Sequence, residues 1–390
     1  LPSESPPIDL RVPELAVLHQ RRSEKWAGHD NDVLVATTAE MDFPLAAPVA
    51  AVLHEAIERS DLGYAPPAPL RLRNAFVSFA RRRFAWEVDP EQITLVPDVM
   101  VGLVELCKAL LKDGEGVAFV TPAYPPFFPA FQRIAEKLDY ISTLATGSID
   151  LDALAASFAA GTRVLVLNTP HNPTGRVLPR SELEAIAELC AAHEVWVLAD
   201  EIHAPLVLAG AEHTPWLEVS EEARSCGIVL TSASKAFNLA GLKAAVAVSA
   251  SGRARDVVAR LPDLADQVGL LGVVAAEAAF TQCDDWLNAV LSQLDMNRGL
   301  LGAQLATDLP RIRWNRPDAS YLGWLDCRSL ALGDDPAATF LDRGRVALNS
   351  GLRYGQEGIG FVRLNFGTSP DLVREALQRM AGALTRANRG

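Results

Sequence analysis

Three apolar runs in this chain each give out into polar residues that could share one chemical task. Val164-Leu165-Val166-Leu167 leads into Asn168-Thr169-Pro170-His171-Asn172-Pro173-Thr174-Gly175, where two prolines and a glycine constrain a turn that presents Asn172. Val195-Trp196-Val197-Leu198-Ala199 leads into Asp200-Glu201-Ile202-His203, and Ile228-Val229-Leu230-Thr231 into Ser232-Ala233-Ser234-Lys235. A lysine held in a pocket at a strand end can lose its proton and act as a carbonyl-binding amine. A carboxylate at the end of a buried strand is costly unless it meets a positive partner. Taken singly, each residue has a plainer role: Asn172 as a turn stabiliser, Asp200 as a helix cap, His203 as a core histidine and Lys235 as a solvated charge. Taken in order, each at a strand end, they form a set.

One prosthetic group needs such a set. In pyridoxal phosphate enzymes an Asp faces the protonated ring nitrogen while a Lys holds the aldehyde as a Schiff base. Asp200 and Lys235 fit those roles, and the Asn172 amide can donate to the ring's phenolate oxygen. The phosphate needs donors, which the backbone N–H groups of Val99 and Met100 at a helix N-terminus, the Ser232 hydroxyl and the Lys243 ammonium can provide. Asp98 directly precedes that helix, so its carboxylate is expected to turn back and cap it. No G-x-G-x-x-G opens a helix and no G-x-x-x-x-G-K-[ST] is present.

The elements that would position these residues follow a rhythm. Apolar spacing predicts helices over residues 48–59, 70–84, 99–111 and 180–193, with Pro48 at a helix start. A strand is expected at 93–96, and strands of the buried parallel type at 117–120, 164–167, 195–199, 228–231 and 244–248. Strand alternating with helix argues for an open α/β sheet covered on both faces, whose ligands bind beyond the carboxyl ends of the strands. The opening residues 1–7 are Pro-rich and expected to be extended, followed by a helix at 14–20 and a strand at 33–36. A helical region from 262 to 309 is expected to break at Gly269, Gly272 and near Asp284. Strands at 311–314, 321–325, 346–349 and 360–365 and a helix at 370–387 then suggest a smaller α+β domain. The expected division is a large domain at 50–285 and a small one at 286–390, with residues 1–49 packed against the small domain.

Bulk properties narrow the class. With 36 basic against 48 acidic residues in 390, the net charge of -12 makes the chain a poor ligand for nucleic acid or an anionic membrane surface. Nowhere do 18 uncharged apolar residues run together, so no membrane span is expected. The five cysteines are scattered, with no C-x-x-C pair and no His/Cys cluster at metal spacing, which suits a reducing cytoplasm and predicts no metal site.

Several further stretches carry a family resemblance: Ala39-Glu40-Met41-Asp42-Phe43-Pro44, Gly63-Tyr64, Tyr124-Pro125-Pro126-Phe127, the Asn172 turn, Asp200-Glu201-Ile202-His203, Ser234-Lys235-Ala236-Phe237-Asn238 with Gly241-Leu242, and Phe361-Val362-Arg363-Leu364-Asn365-Phe366. Together they resemble a fold type I pyridoxal phosphate enzyme of the class I/II aminotransferase superfamily, and within it the MalY/PatB branch of cystathionine beta-lyases, or C-S lyases. The resemblance implies a mainly parallel seven-stranded sheet between helices plus a smaller α+β domain. It implies Lys235 as Schiff-base lysine and general base, Tyr124 stacked on one ring face, Ile202 on the other, and His203 behind them. Arg363 resembles the residue that grips the substrate carboxylate, a task suited to its fork. Tyr64 resembles the tyrosine that reaches the phosphate of a neighbouring subunit, implying a homodimer with shared active sites.

The implied activity is β-elimination from cysteine S-conjugates such as cystathionine, giving a thiol, pyruvate and ammonia. Two alternatives use the same residues or fold: an aminotransferase, and a regulatory binding protein that keeps the cofactor site. Two positions depart from the branch. Asn349-Ser350-Gly351-Leu352-Arg353-Tyr354-Gly355 stands where a Pro-Gly and an aromatic-Gly pair are usual, which leaves side-chain preference open. Asp98 stands where a smaller residue is usual and bears on phosphate affinity.

Overall fold

A computed structural model describes residues 8–143 and 147–387. The expected extended stretch at 1–7 lies outside the described residues. Among the described residues twelve strands form two sheets: β1 Leu34–Ala36, β2 Ile93–Val96, β3 Gly116–Thr121, β4 Lys137–Ser142, β5 Thr162–Asn168, β6 Trp196–Asp200, β7 Gly227–Thr231, β8 Ala245–Val248, β9 Arg313–Trp314, β10 Leu322–Asp326, β11 Val346–Ser350 and β12 Phe361–Asn365.

The larger sheet has seven strands in the order β2-β8-β7-β6-β5-β3-β4. β8 runs against both its neighbours, while the other pairings are parallel. Its strands read as unbroken apolar runs because both faces are buried. Val164 and Val166 of β5, Leu198 of β6 and Ile228 and Leu230 of β7 pack on one face, against Val99, Leu103 and Leu106 of the helix Val99–Leu110. The alternate residues Leu165, Leu167, Val197, Ala199 and Val229 pack on the other face, with Leu183 and Ile186 of the helix Arg180–Ala192. β5, β6 and β7 end side by side, with Asn168 paired to Asp200 and Asp200 to Leu230. Their carboxyl ends therefore bring the three polar runs together.

The smaller sheet has the order β1-β11-β12-β10-β9. β1, from the N-terminal segment, forms its parallel edge against β11, with Leu34 opposite Val346. Arg363 in β12 lies between Trp324 of β10 and Asn349 of β11. The helices Leu70–Phe84 and Pro370–Ala387 have the expected bounds. The expected helix at 14–20 contracts to Leu15–Leu18.

The region after 262 departs from expectation at one glycine. Gly269 precedes the helix Leu270–Gln282 and Cys283 separates it from the 25-residue helix Asp284–Asp308, but Gly272 sits inside the first of these. A Cβ on Gly272 would stand 2.3 Å from the Leu242 carbonyl oxygen, so this glycine serves close packing rather than a helix break. β4 was not expected: its residues are mostly half-exposed and mix charged with apolar types, which conceals an edge strand.

Candidate active site

The carboxyl ends of β5, β6 and β7 open into a cavity of about 660 Å³, within the range of ligand sites. Asn172, Asp200, Ile202, His203, Ser232 and Lys235 line it from the large sheet, Tyr124 from the loop after β3, and Arg363 from the small sheet. Val99 and Met100 open the helix Val99–Leu110 onto the same cavity, and Lys243 borders it.

Lys235 lies one turn beyond β7, in a four-residue helix capped by Ser232. Its Nζ donates to the Ala39 carbonyl at 3.1 Å. Burial first, and the Arg363 charge second, push its pKa down to about 8, while Glu40, Asp200 and Glu24 oppose them. Asp200 is 5 % exposed. Burial pushes its carboxyl up to about 7, against a hydrogen bond from the Ile202 N–H and the attraction of Lys235. His203 is pushed down to about 3 by burial and by the Lys235 and Arg363 charges, so it is a neutral ring bonded through Nδ1 to the Ser320 hydroxyl.

Arg363 is 3 % exposed and sits over the Tyr354 ring, 5.3 Å from its centroid. It donates to Asn172 Oδ1 and Asn349 Oδ1, each at 3.0 Å, and to the Thr37 carbonyl at 3.3 Å. Because an arginine only donates, its bond fixes the Asn172 oxygen and leaves the Nδ2 donor for the cavity. The Arg363 Nε–H is buried with no acceptor among the described residues, the kind of orphan that a bound anion would explain.

A second set of motif residues holds the Lys235 acceptor in place. Asn238, at φ 60°, accepts from the Met41 N–H at 2.9 Å and donates to its carbonyl at 2.9 Å. Asn365 donates to the Thr38 and Glu40 carbonyls. Asp42, 1 % exposed, takes Lys25 Nζ at 2.8 Å and Trp26 Nε1 at 3.0 Å. The segment around Ala39 is thus clamped from three sides.

Three other expectations take a more qualified form. Ser232 Oγ donates its proton to the Ala244 carbonyl at 2.7 Å, and its oxygen caps the helix by accepting from Ser234 N–H, so the proton serves the neighbouring loop instead of pointing at an anion. Lys243 pairs with Asp98 Oδ2 at 2.7 Å, while Asp98 Oδ1 caps the helix by accepting from Val101 N–H at 2.8 Å. Val99 and Met100, whose N–H groups have no carbonyl one turn earlier in that helix, line the cavity. Tyr64 is fully exposed and is not among the residues lining the cavity of its own chain.

Sequence reading missed several participants. Asn168 donates to the Asp200 carbonyl and accepts from the Asn172 N–H at 2.6 Å, tying two of the strand ends together. Tyr321 Oη donates to the same Ala39 carbonyl as Lys235, at 2.9 Å. Asn168 could have been recognised as the last polar residue of its run. Tyr321 and Asn349 carry no local signal.

The residues fit pyridoxal phosphate on two observations. A buried carboxyl at Asp200 lacks a cationic neighbour in hydrogen-bond contact, and a protonated ring nitrogen would supply one. In the same cavity lies a buried amine whose pKa burial pushes down to about 8. Among the described residues no cluster of His, Cys, Asp and Glu could hold a metal ion, no helix is long and apolar enough to cross a membrane, and the five cysteines are free and buried.

Comparison with known proteins agrees with this geometry. The family of class I and II aminotransferases matches residues 31–380. The cystathionine beta-lyase of Corynebacterium glutamicum is 33% identical, covering 96% of this chain and 100% of its own. Cystathionine beta-lyase PatB of Bacillus subtilis is 32% identical over 91% and 93%. Cystalysin from Treponema denticola, whose crystal structure contains pyridoxal 5'-phosphate, superposes with a TM-score of 0.89 at 25% identity, covering 94% of this chain and 96% of that one. The chain belongs to the class I and II aminotransferase family, in its group of MalY/PatB-type cystathionine beta-lyases, and pyridoxal 5'-phosphate is its cofactor.

Proposed function

We propose that the protein is a carbon-sulfur β-lyase acting on cystathionine or another cysteine S-conjugate, releasing a thiol, pyruvate and ammonia. The observation that carries this reading is the buried Lys235 amine, held near 8 in one cavity with Asp200 and Arg363. The names of the Corynebacterium and Bacillus relatives support the choice of substrate.

When bound, pyridoxal phosphate supplies an aldehyde for the substrate amine and an electron sink for the charge left at Cα. Asp200 would hold the ring nitrogen and Asn172 Nδ2 would donate to the phenolate oxygen, with Tyr124 and Ile202 packed on the ring. The Val99 and Met100 N–H groups would receive the phosphate, with Ser232 and Lys243 near them. Arg363 grips the α-carboxylate and so fixes the position of Cα. Lys235 Nζ, in its neutral form, takes the proton from Cα. The Cβ–S bond then breaks, the sulfur leaves with the bonding pair and is protonated, and the three-carbon remainder takes up water to give pyruvate and ammonia.

Tyr64 is assigned to the cavity of a second subunit, which makes the working form a homodimer with shared sites; its full exposure in one chain supports this. The division at 49/50 and 285/286 into large and small domains belongs to the same proposal, supported by the two sheets and by the pairing of β1 with β11. A cytoplasmic location is supported by the five free thiols.

The test is steady pyruvate release from L,L-cystathionine with no 2-oxo acid present. Turnover that depends on an added 2-oxo acid, without pyruvate release, would instead make the protein an aminotransferase.

A further inference from the structure

The mouth of the cavity carries four charged side chains that the chemistry at its floor does not use. Glu24 and Glu40 come from the N-terminal segment, Arg133 follows the helix Phe127–Gln132, and Arg353 lies in the short turn Gly351–Tyr354. All four line the same cavity as Lys235 and Arg363. None of these side chains makes a hydrogen bond or ion pair with another described residue. Glu40 and Glu24 act by charge on the Lys235 ammonium, as carboxylates lining the same cavity would.

The signs are informative. Arginines alone would suit a second carboxylate, and acids alone an amine. Two of each make a neutral rim with separated poles, which matches a dipolar amino-acid head group. Arg353 has a second neighbourhood as well: it also lines an adjoining groove of about 760 Å³ walled by Phe128, Tyr140, Leu352 and Ile359. An apolar sulfur substituent would turn into that groove, so Arg353 stands where the two routes diverge.

We infer that this rim binds the far end of an extended substrate whose sulfur substituent terminates in its own amino-acid group. Arg353 and Arg133 take the distal carboxylate, and Glu24 and Glu40 the distal ammonium. The inference rests on the β-lyase reading, in which Arg363 holds the near carboxylate and the sulfur substituent points outward.

The test compares kcat/KM for pyruvate release by the holoenzyme from three substrates: L,L-cystathionine, S-(3-carboxypropyl)-L-cysteine, which lacks only the distal amine, and S-propyl-L-cysteine. The wild type should prefer cystathionine to the propyl compound. Arg353→Ala should lower that preference about tenfold, Arg353→Lys should retain most of it, and Arg353→Glu should lower it further. Glu24→Gln should reduce turnover of cystathionine relative to the carboxypropyl compound, by a smaller factor. Equal effects of Arg353→Ala on all three substrates, or a wild-type preference for the propyl compound, would overturn the inference and leave the lyase reading standing. Absence of pyruvate from every substrate would overturn both.

Discussion

The floor and the mouth of one cavity treat charge in opposite ways. At the floor, Asp200 and Lys235 are buried, and desolvation brings their pKa values to about 7 and about 8, so that an acid and a base with ordinary values far apart nearly meet. Four polar side chains of the floor are held: Asn172 by Arg363, Arg363 by Asn349 and Thr37, Lys235 by Ala39 and Asp200 by the Ile202 N–H. At the mouth, Arg133, Arg353 and Glu24 are exposed and unpaired. Solvent screens them, so their charges act weakly over distance and stay open to an incoming partner. The contrast follows from burial: the floor groups are desolvated, while those at the mouth stay open to solvent.

Mutations separate the two regions. Lys235→Ala should lower kcat by about 10³-fold or more if, as proposed, it removes the base at Cα, and borohydride should no longer fix the cofactor to the protein. Residual turnover within tenfold of wild type would show that another group takes the proton. Arg363→Ala should act chiefly on KM, raising it by about 30-fold or more through loss of a buried charged partner. It also frees Asn172 Oδ1, so a shift in the absorption of the bound cofactor is expected alongside.

The third difference is one of pH. The folded Asp200 carboxyl holds its proton to about 7, well above its unfolded value, so the cofactor-free protein loses stability as pH rises from about 4 to about 7, by at most about 4 kcal/mol. Lys235 has the opposite sign: its folded pKa is depressed, so stability is regained as pH rises from about 8 toward 10. The melting temperature of cofactor-free Asp200→Asn, measured beside wild type from pH 5 to 8, should fall less steeply with pH. Parallel curves would mean that Asp200 is not desolvated as described. The rate of pyridoxal phosphate uptake, followed by absorbance, should rise through about pH 8 as Lys235 becomes neutral.

The smallest effect belongs to the mouth. Arg133→Ala should change the turnover of S-propyl-L-cysteine by less than about twofold and leave the melting temperature within about one degree, since exposed unpaired charges contribute little. A larger loss of stability would place Arg133 in the architecture and erase the contrast.

Much of the floor could be read from the chain because its members follow directly on buried strands. The apolar runs before Asn172, Asp200 and Lys235 need two covered faces, and those faces force the runs into neighbouring positions in one sheet. Helix bounds such as Leu70–Phe84 were legible for a similar reason, a local period. β4 was not, because an edge strand with a half-wet face has no clear pattern. Gly272 misled because its meaning lies in the Leu242 carbonyl, not in its own helix.

The sequence by itself determined the reactive types and their order: an amide, a carboxylate and an amine at three strand ends, with an arginine in a late strand. Only the tertiary structure decided how they are tuned and held. Lys235 and Tyr321 meet on the Ala39 carbonyl from positions 196 and 282 residues away, and Arg363 reaches Asn172 across 191 residues. It also turned Ser232 and Lys243 toward partners within the chain, and it gathered four distant charges at one rim. Local sequence sets which groups exist. Their desolvation and their partners come from segments remote in the chain, and these decide which protonation state each group adopts.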